Sequence, residues 1–375
     1  MKQVSYQLED LLDRKPILLD DQLISAQLKD KTVLITGAAG SIGSEIVRQV
    51  INFSPRCVIM LDQAETPLYL LGLEMEVYAP NAKFYTEIAD VSSEGAINEV
   101  FKKYRPNVVY HAAAYKHVQM MEKSPAQAII ANVLGTKVVA DIANKYDVST
   151  FVMISTDKAV NPGSIMGATK LVAEKYIQAL HNNLIQTGKP VITKYLITRF
   201  GNVLGSNGSV VPVFAKQIED GGPLTITHPD IARFFMTIKE ACLLVLEAGA
   251  MGKGGEIYIF DMGKQVKIID LAFKMIRMAG MNPDRDIDVK YIGLRPGEKL
   301  YEKLHTETSK MHATHNEKIM ISSEMPEDYT RLNIAINSMI TLAQNFNVRE
   351  AVEEMKTILP EFISTNSVFN EPYDN

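Results

Sequence analysis

Asp157 and Lys158 stand side by side after an apolar run, Phe151 to Ile154, that reads as a buried strand. A carboxylate and an ammonium at a strand end can hold and accept protons. Further on, Met166 and Lys170 are four positions apart in a segment that predicts a helix from Ile165 to about Gln186, so they share one face. Asp157, Lys158 and Lys170 together make an acid/base cluster. Each has a plainer reading too, as one half of a salt bridge at a strand end. The rest of the chain is then a frame that holds a pocket over this cluster.

The frame begins with Lys31 to Thr36, a short apolar run that stops at Gly37-Ala-Ala39-Gly40-Ser41-Ile42-Gly43 and enters a helical pattern, Ser44 to Ile51. Strand, glycine turn and helix are the context in which such glycines cradle a pyrophosphate at a helix N-terminus. The next strand, Cys57 to Leu61, ends at Asp62, 25 positions after Gly37. A carboxylate there accepts hydrogen bonds from ribose hydroxyls and repels a 2′-phosphate, which favours NAD over NADP.

Alternation of strands and helices continues: a strand over Lys83 to Ile88 with Asp90-Val91 behind it, a helix over Glu94 to Tyr104, and a strand over Val108 to His111 followed by Ala112-Ala113-Ala114. A long helix over Ala126 to Tyr146 holds Asn132, and Val191 to Thr198 reads as a further strand. The pattern predicts an α/β fold, a Rossmann-like doubly wound parallel sheet with right-handed crossovers. Gly37, Asp62, Asp90, Ala112 and Ser155 to Lys158 all fall at carboxyl ends of strands, where such sheets bind ligands.

Beyond Arg199 the elements become short and mixed. A glycine-rich loop over Arg199 to Pro212 leads to strands at Leu224 to Thr227, Glu256 to Asp261 and Ile287 to Ile292, with helices at Thr237 to Ala250 and Ile268 to Gly280. The expected division is an N-terminal arm (1–30), a cofactor domain with the catalytic stretch (31–200), a smaller mixed α/β substrate lobe (201–325), and two C-terminal helices with a tail (326–375).

Bulk properties narrow the class. The chain has 375 residues, 46% hydrophobic and 22% charged, as in ordinary globular proteins. A net charge of -5 gives no reason to expect nucleic acid or an anionic membrane as partner. The two cysteines, Cys57 and Cys242, lie in apolar runs and read as buried thiols, and no metal site is expected. No apolar run approaches the roughly 18 residues of a bilayer span, and the first residues lack the apolar core of a secretory signal, so the expected location is cytoplasmic.

Read together, Gly37-Ala-Ala-Gly-Ser-Ile-Gly-Ser-Glu45, His111-Ala-Ala-Ala-Tyr-Lys-His117, Asn132-Val-Leu-Gly-Thr136, Ser155-Thr-Asp-Lys-Ala-Val-Asn-Pro162, Met166-Gly-Ala-Thr-Lys170, Arg199-Phe-Gly-Asn-Val-Leu-Gly205 and Arg295-Pro-Gly-Glu-Lys299 resemble bacterial UDP-N-acetylglucosamine 4,6-dehydratases, extended short-chain dehydrogenases of polysaccharide biosynthesis. Leu8 to Pro16 also looks like the linker that precedes the catalytic part in membrane-type relatives. The resemblance implies oxidation at sugar carbon 4 with bound NAD, loss of water across carbons 5 and 6, and return of the hydride to carbon 6.

By the same resemblance Lys158 takes the carbon-5 proton and Asp157 protonates the departing carbon-6 hydroxyl. Met166 stands where a short-chain dehydrogenase has the Tyr of YxxxK, and a thioether cannot take a proton. Relatives with Met there retain configuration at carbon 5. The base for the carbon-4 hydroxyl stays open: Thr156 orients it, and its proton leaves through water or Lys170, whose other task is to hold the nicotinamide ribose.

Cofactor contacts are expected from Gly37, Ala39, Gly40, Ser41, Ile42, Asp62, Asp90, Val91, His111, Ala112, Ala113, Ala114, Asn132 and Lys170. Substrate contacts are expected from Lys116, His117, Asn202, Ser209, Val210, Arg233, Arg295, Glu298 and Lys299, with the arginines matched to phosphate oxygens. The implied substrate is UDP-N-acetylglucosamine, and a homo-oligomer is expected through the two long helices. A 4-epimerase, a 4-reductase or an inverting dehydratase on the same scaffold needs the cofactor site as well. A non-catalytic NAD-binding protein would not need Asp157, Lys158 and Lys170.

Overall fold

A computed structural model describes residues 11, 21–188, 190–283 and 285–370 of the chain. Most of the expected N-terminal arm, the linker-like stretch apart from Leu11, and the last five residues lie outside the described residues. From the arm, helix α1 (Asp21–Leu28) buries Ile24 and Leu28 against the body.

Among the described residues nine strands form the central sheet: β1 (Thr32–Thr36), β2 (Cys57–Asp62), β3 (Phe84–Ile88), β4 (Val108–His111), β5 (Thr150–Thr156), β6 (Lys194–Phe200), β7 (Ile257–Phe260), β8 (Lys310–Ala313) and β9 (Ile319–Ser323). Their order is β8-β9-β7-β6-β5-β4-β1-β2-β3. From β3 to β7 every pairing is parallel, while β8 and β9 form an antiparallel hairpin on one edge. The chain runs outward from β1 to β3 and then returns to β4 on the other side of β1. That reversal leaves a crevice beyond the carboxyl ends of β1 and β4. Residues of β1 and β4 are buried throughout, which is why they read as continuous apolar runs rather than alternating ones.

Helices cover both faces. Helices α1, α2 (Ser41–Ile51), α3 (Glu65–Tyr78) and α9 (Ile238–Met251) share one core with Val33, Ile35, Val58 and Met60. On the other face α4 (Glu94–Tyr104), α6 (Pro125–Lys145), α7 (Ile165–Gln186), α11 (Tyr329–Gln344) and α12 (Val348–Ile358) pack around Leu34, Val109, Phe151 and Met153. A third core holds the lobe: α8 (Val210–Glu219) and α10 (Ile268–Met278) with Leu224, Ile226 and Ile287.

The expected elements recur with instructive differences. Helix α3 and the short α5 (Val118–Lys123) were not anticipated. The glycine-rich stretch after Arg199 is not all loop. It contains a three-residue strand, Asn202–Leu204, paired with Phe235–Thr237, and then α8. Pro212 does not break α8 because it lies in the first turn, where a missing N–H costs little. Strand β7 and the β8–β9 hairpin belong to the central sheet, so the segment 201–325 is shared between sheet and lobe.

Helix α6 carries a π turn over Ile129–Leu134. By length and composition α6 could cross a membrane, contrary to the expectation that no such segment exists, but 67% of it is buried inside the fold, as suits a core helix. The two long helices expected to mediate dimerisation, α6 and α7, are covered within the chain by α11 and α12. A dimer through that covered face would have to displace the C-terminal helical hairpin.

Candidate active site

The glycine turn after β1 is set by close approach. Gly37 has φ +66°, and a Cβ there would lie 2.6 Å from the backbone N of Ala113. At Gly43 a Cβ would fall 2.0 Å from the Gly37 carbonyl oxygen, so α2 packs on the turn only because no side chain intervenes. Asp62 is bound into the same corner. Its Oδ2 accepts from the Ala39 N–H at 3.0 Å and its Oδ1 from the Ala64 N–H at 2.9 Å. Each oxygen keeps a lone pair for a further donor.

Two grooves meet at Gly37, Gly40, Ala112, Ala114 and Tyr115. The smaller holds Asp62, Asp90, Val91 and Ala113; Asp90 accepts from the Ser92 hydroxyl and N–H, both at 2.8 Å. The larger, about 480 Å³, holds Ser41, Ile42, Lys116, His117, Thr156, Lys158, Met166, Lys170, Asn202 and Ser209. Together they trace a trough across the carboxyl ends of β1, β2, β4 and β5.

The stretch Ser155 to Lys158 is held from several sides. Ser164 caps α7 by accepting from the Gly167 N–H, and a Cβ on Gly167 would lie 2.2 Å from the Lys158 carbonyl oxygen. The first turn of α7 therefore rests on the backbone of Lys158. Lys158 Nζ donates to Asp157 Oδ1 and to Asn202 Oδ1, both at 2.9 Å. Thr156 Oγ1 also donates to Asp157 Oδ1 at 2.9 Å. Behind them the Ser155 hydroxyl bonds Glu174, whose carboxylate is paired with the buried Arg199, itself bonded to Glu324 at 2.7 Å.

Lys170 is 5% exposed yet lines the groove, and burial lowers its pKa to about 8 against a weaker opposing pull from Glu174. Burial also lowers Lys116, helped by the Lys158 charge, and lowers His117, helped by Lys116. The His117 ring packs on Gly208, where a Cβ would lie 2.7 Å from the ring. Asn207 N–H donates to Ser41 Oγ at 3.1 Å, so the lobe loop meets the glycine turn across the trough.

Several expected contacts are not at the trough. Asp157 is fully buried behind Lys158 and lines neither groove, and its Oδ2, beside Gly201, has no hydrogen bond among the described residues. His111 bridges Thr36 at 2.8 Å and Thr136 at 3.0 Å in the core, with burial lowering its pKa to about 3. Asn132, in the π turn, clamps the backbone of Tyr115 and bonds Thr169. Both residues shape the trough wall without touching its interior. Ala39 gives its N–H to Asp62 and lines a neighbouring groove with Ser44 and Arg48 rather than the trough. Val210 starts α8 against the lobe core, while Ser209 before it lines the groove.

The second half of the motif set is a strap. Arg233, 7% exposed, donates to the carbonyls of Ala232, Lys299 and Leu300, so it clamps chain rather than reaching phosphate. Glu298 accepts from Thr227 and from the Arg295 N–H. Lys299 Nζ donates to the Val160 carbonyl at 3.0 Å, which pins the lobe to the turn after β5. Exposed Arg295 bonds Gln119 and lines a separate groove with Phe346 and Val368. Tyr115, Glu174 and Glu302 were missed. Tyr115 stood inside the quoted Ala-Tyr-Lys run, whereas Glu174 and Glu302 gave no local signal.

Residues 33–324 match the family model described as polysaccharide biosynthesis protein. The chain belongs to the polysaccharide biosynthesis protein family. Within this family it is 52% identical over 299 residues to the capsular polysaccharide biosynthesis protein CapD of Staphylococcus aureus, covering 80% of this chain and 49% of that one. The chain thus spans about half the length of that curated relative. It is also 34% identical to a UDP-glucose 4-epimerase of Rickettsia rickettsii, over 73% of this chain and 77% of the epimerase. Among solved structures, that of Pen from Bacillus thuringiensis superposes with a TM-score of 0.71 at 30% identity, covering 83% of this chain and 98% of Pen.

Proposed function

We propose that the chain is a nucleotide-sugar 4,6-dehydratase that uses NAD and acts on UDP-N-acetylglucosamine, with retention at carbon 5. The observation that carries this reading is the Lys158–Asp157 hydrogen bond of 2.9 Å at the edge of the trough, with Met166 and Lys170 on the facing helix. Oxidation and reduction at carbon 4 alone do not need that pair, whereas elimination needs both a base and an acid.

The residues present suit NAD. Gly37, Gly40 and the N-terminus of α2 offer room and N–H groups to a pyrophosphate, and Asp62 offers ribose acceptors while disfavouring a 2′-phosphate. When bound, NAD supplies the acceptor for hydride from sugar carbon 4 and its return to carbon 6. In this reading Thr156 orients the carbon-4 hydroxyl, and Lys170 holds the nicotinamide ribose and, with its pKa near 8, takes that hydroxyl's proton directly or through water. Moving one proton along the Lys158–Asp157 hydrogen bond converts an ion pair into an amine and a carboxylic acid, the forms elimination requires. The amine of Lys158 then takes the carbon-5 proton. The proton on Asp157 reaches the carbon-6 hydroxyl through Thr156, which joins Asp157 to the groove.

Incubation with UDP-N-acetylglucosamine and NAD tests the reading. A product lighter by one water, with a 4-keto-6-deoxy sugar, supports it. A second reading, 4-epimerisation, is favoured by the similarity to the Rickettsia epimerase, and recovery of a 4-epimer with no loss of water would establish it instead.

A further inference from the structure

Glu302 lies in the strap that follows Arg295-Pro-Gly-Glu298-Lys299, and the elimination chemistry above makes no use of it. It is 4% exposed, and its Oε2 has no hydrogen bond among the described residues. Lys299 Nζ lies 3.6 Å from that oxygen, yet directs its own hydrogen bond to Val160. Val160 N–H in turn donates to the Asp157 carbonyl. The charged groups that face Glu302 are Lys158 and Asp157 from the catalytic turn, Lys299 from its own strap, and Arg233 from the strand clamped to that strap.

Two buried carboxyl groups, Asp157 and Glu302, each with one oxygen lacking a hydrogen bond among the described residues, therefore share one electrostatic field with three cations. Buried carboxyls in one field do not both ionise freely, because each raises the cost of charging the other. Burial, with Asp157 adding to it, raises the proton affinity of Glu302, while Lys158, Lys299 and Arg233 oppose the rise. The strap is held by the Lys299 bond to Val160 and by Arg233 on its carbonyls, so the looser Lys299–Glu302 ion pair at 3.6 Å is not what fastens it.

We propose that Glu302 is a positioning residue of the elimination, a second buried carboxyl whose charge sets where the proton sits between Asp157 and Lys158. This rests on the dehydratase reading. Elimination breaks the carbon-5 C–H bond, with the proton going to the Lys158 amine. It also breaks the carbon-6 C–O bond, with the oxygen leaving as water carrying the Asp157 proton. Ionising Glu302 favours the proton on its neighbours; protonating Glu302 favours its release. The balance between Asp157 and Lys158 then follows the titration of Glu302.

The test is the pH profile of E302Q beside wild type, read by carbon-5 exchange and product formation, with KM and kcat separated. E302Q should lower kcat by about tenfold or more, change KM by less than about twofold, and displace one limb of the profile by about half a pH unit or more; E302D should restore most of it. A folded E302Q whose profile superimposes on wild type, with kcat within about twofold, overturns the proposal. Should E302Q not fold, K299M removes the charge facing Glu302 from the other side, and a superimposable profile there overturns it equally. Absence of any dehydrated product from wild type marks failure of the dehydratase reading itself, so the two failures are told apart by the control.

Discussion

Lys158 Nζ and Asn202 Oδ1 are 2.9 Å apart, and that bond ties the turn after β5 to the first strand of the lobe. Lys158 is thereby fixed on two sides, by Asp157 and by Asn202. Replacing Lys158 with Met should leave oxidation at carbon 4 in place and stop elimination. The expected result is slow accumulation of reduced nicotinamide absorbance with product formation down by about 10²-fold or more. Asn202→Ala should lower kcat by about tenfold, since Lys158 keeps its charge but loses one anchor. Equal loss of both half-reactions in Lys158→Met would count against a role confined to elimination.

The glycine turn makes a sharper prediction. A Cβ at Gly43 would sit 2.0 Å from the Gly37 carbonyl oxygen, a backbone atom that cannot move without opening the turn. Gly43→Ala should destabilise the fold by about 2 kcal/mol or more and weaken dinucleotide binding with it. Thermal unfolding and calorimetric titration with NAD would measure both. An unchanged melting temperature would mean that the turn is not packed as described.

Much of this scaffold was legible because it is local. Strand, glycine turn and helix at 32–51, the carboxylate at Asp62, and the helix from Ile165 are written in neighbouring residues. What escaped depends on partners far along the chain. His111 and Asn132 stood in the right motif, but only the Thr36, Thr136 and Tyr115 contacts show that they support the wall. Arg233 has the charge that phosphate would need, and its burial against the carbonyls of Lys299 and Leu300 is a matter of tertiary folding. The C-terminal helical hairpin reads correctly as two helices, yet nothing in its period says that it covers α6 and α7.

His111 predicts a pH dependence of stability. Its folded pKa, about 3, lies below the ordinary 6.5, so the unfolded chain takes up the proton first. Its contribution is complete above about pH 6.5 and is lost as pH falls toward about 3, with about 2 kcal/mol lost between pH 7 and pH 5. His111→Gln keeps a hydrogen-bonding side chain and cannot charge. The variant should be less stable near pH 7 but lose less of its stability by pH 5, as followed by urea unfolding at both. Parallel pH slopes for the two proteins would contradict this.

Lys170 makes the corresponding prediction for rate. With burial holding its pKa near 8, the neutral amine becomes the major form only above that pH. Single-turnover oxidation at carbon 4 should therefore rise with pH along a limb centred near 8. Lys170→Arg should abolish the limb, because a guanidinium stays charged throughout that range. A limb that persists in Lys170→Arg would assign the carbon-4 proton to another group.

The central claim is elimination through carbon 5, and solvent isotope incorporation reads it most directly. Wild-type protein should convert UDP-N-acetylglucosamine, with NAD in deuterated water, to a 4-keto-6-deoxy product. NMR of that product should show deuterium at carbon 5 with the starting configuration. A sugar recovered with hydrogen at carbon 5 and its carbon-6 hydroxyl intact would contradict the account.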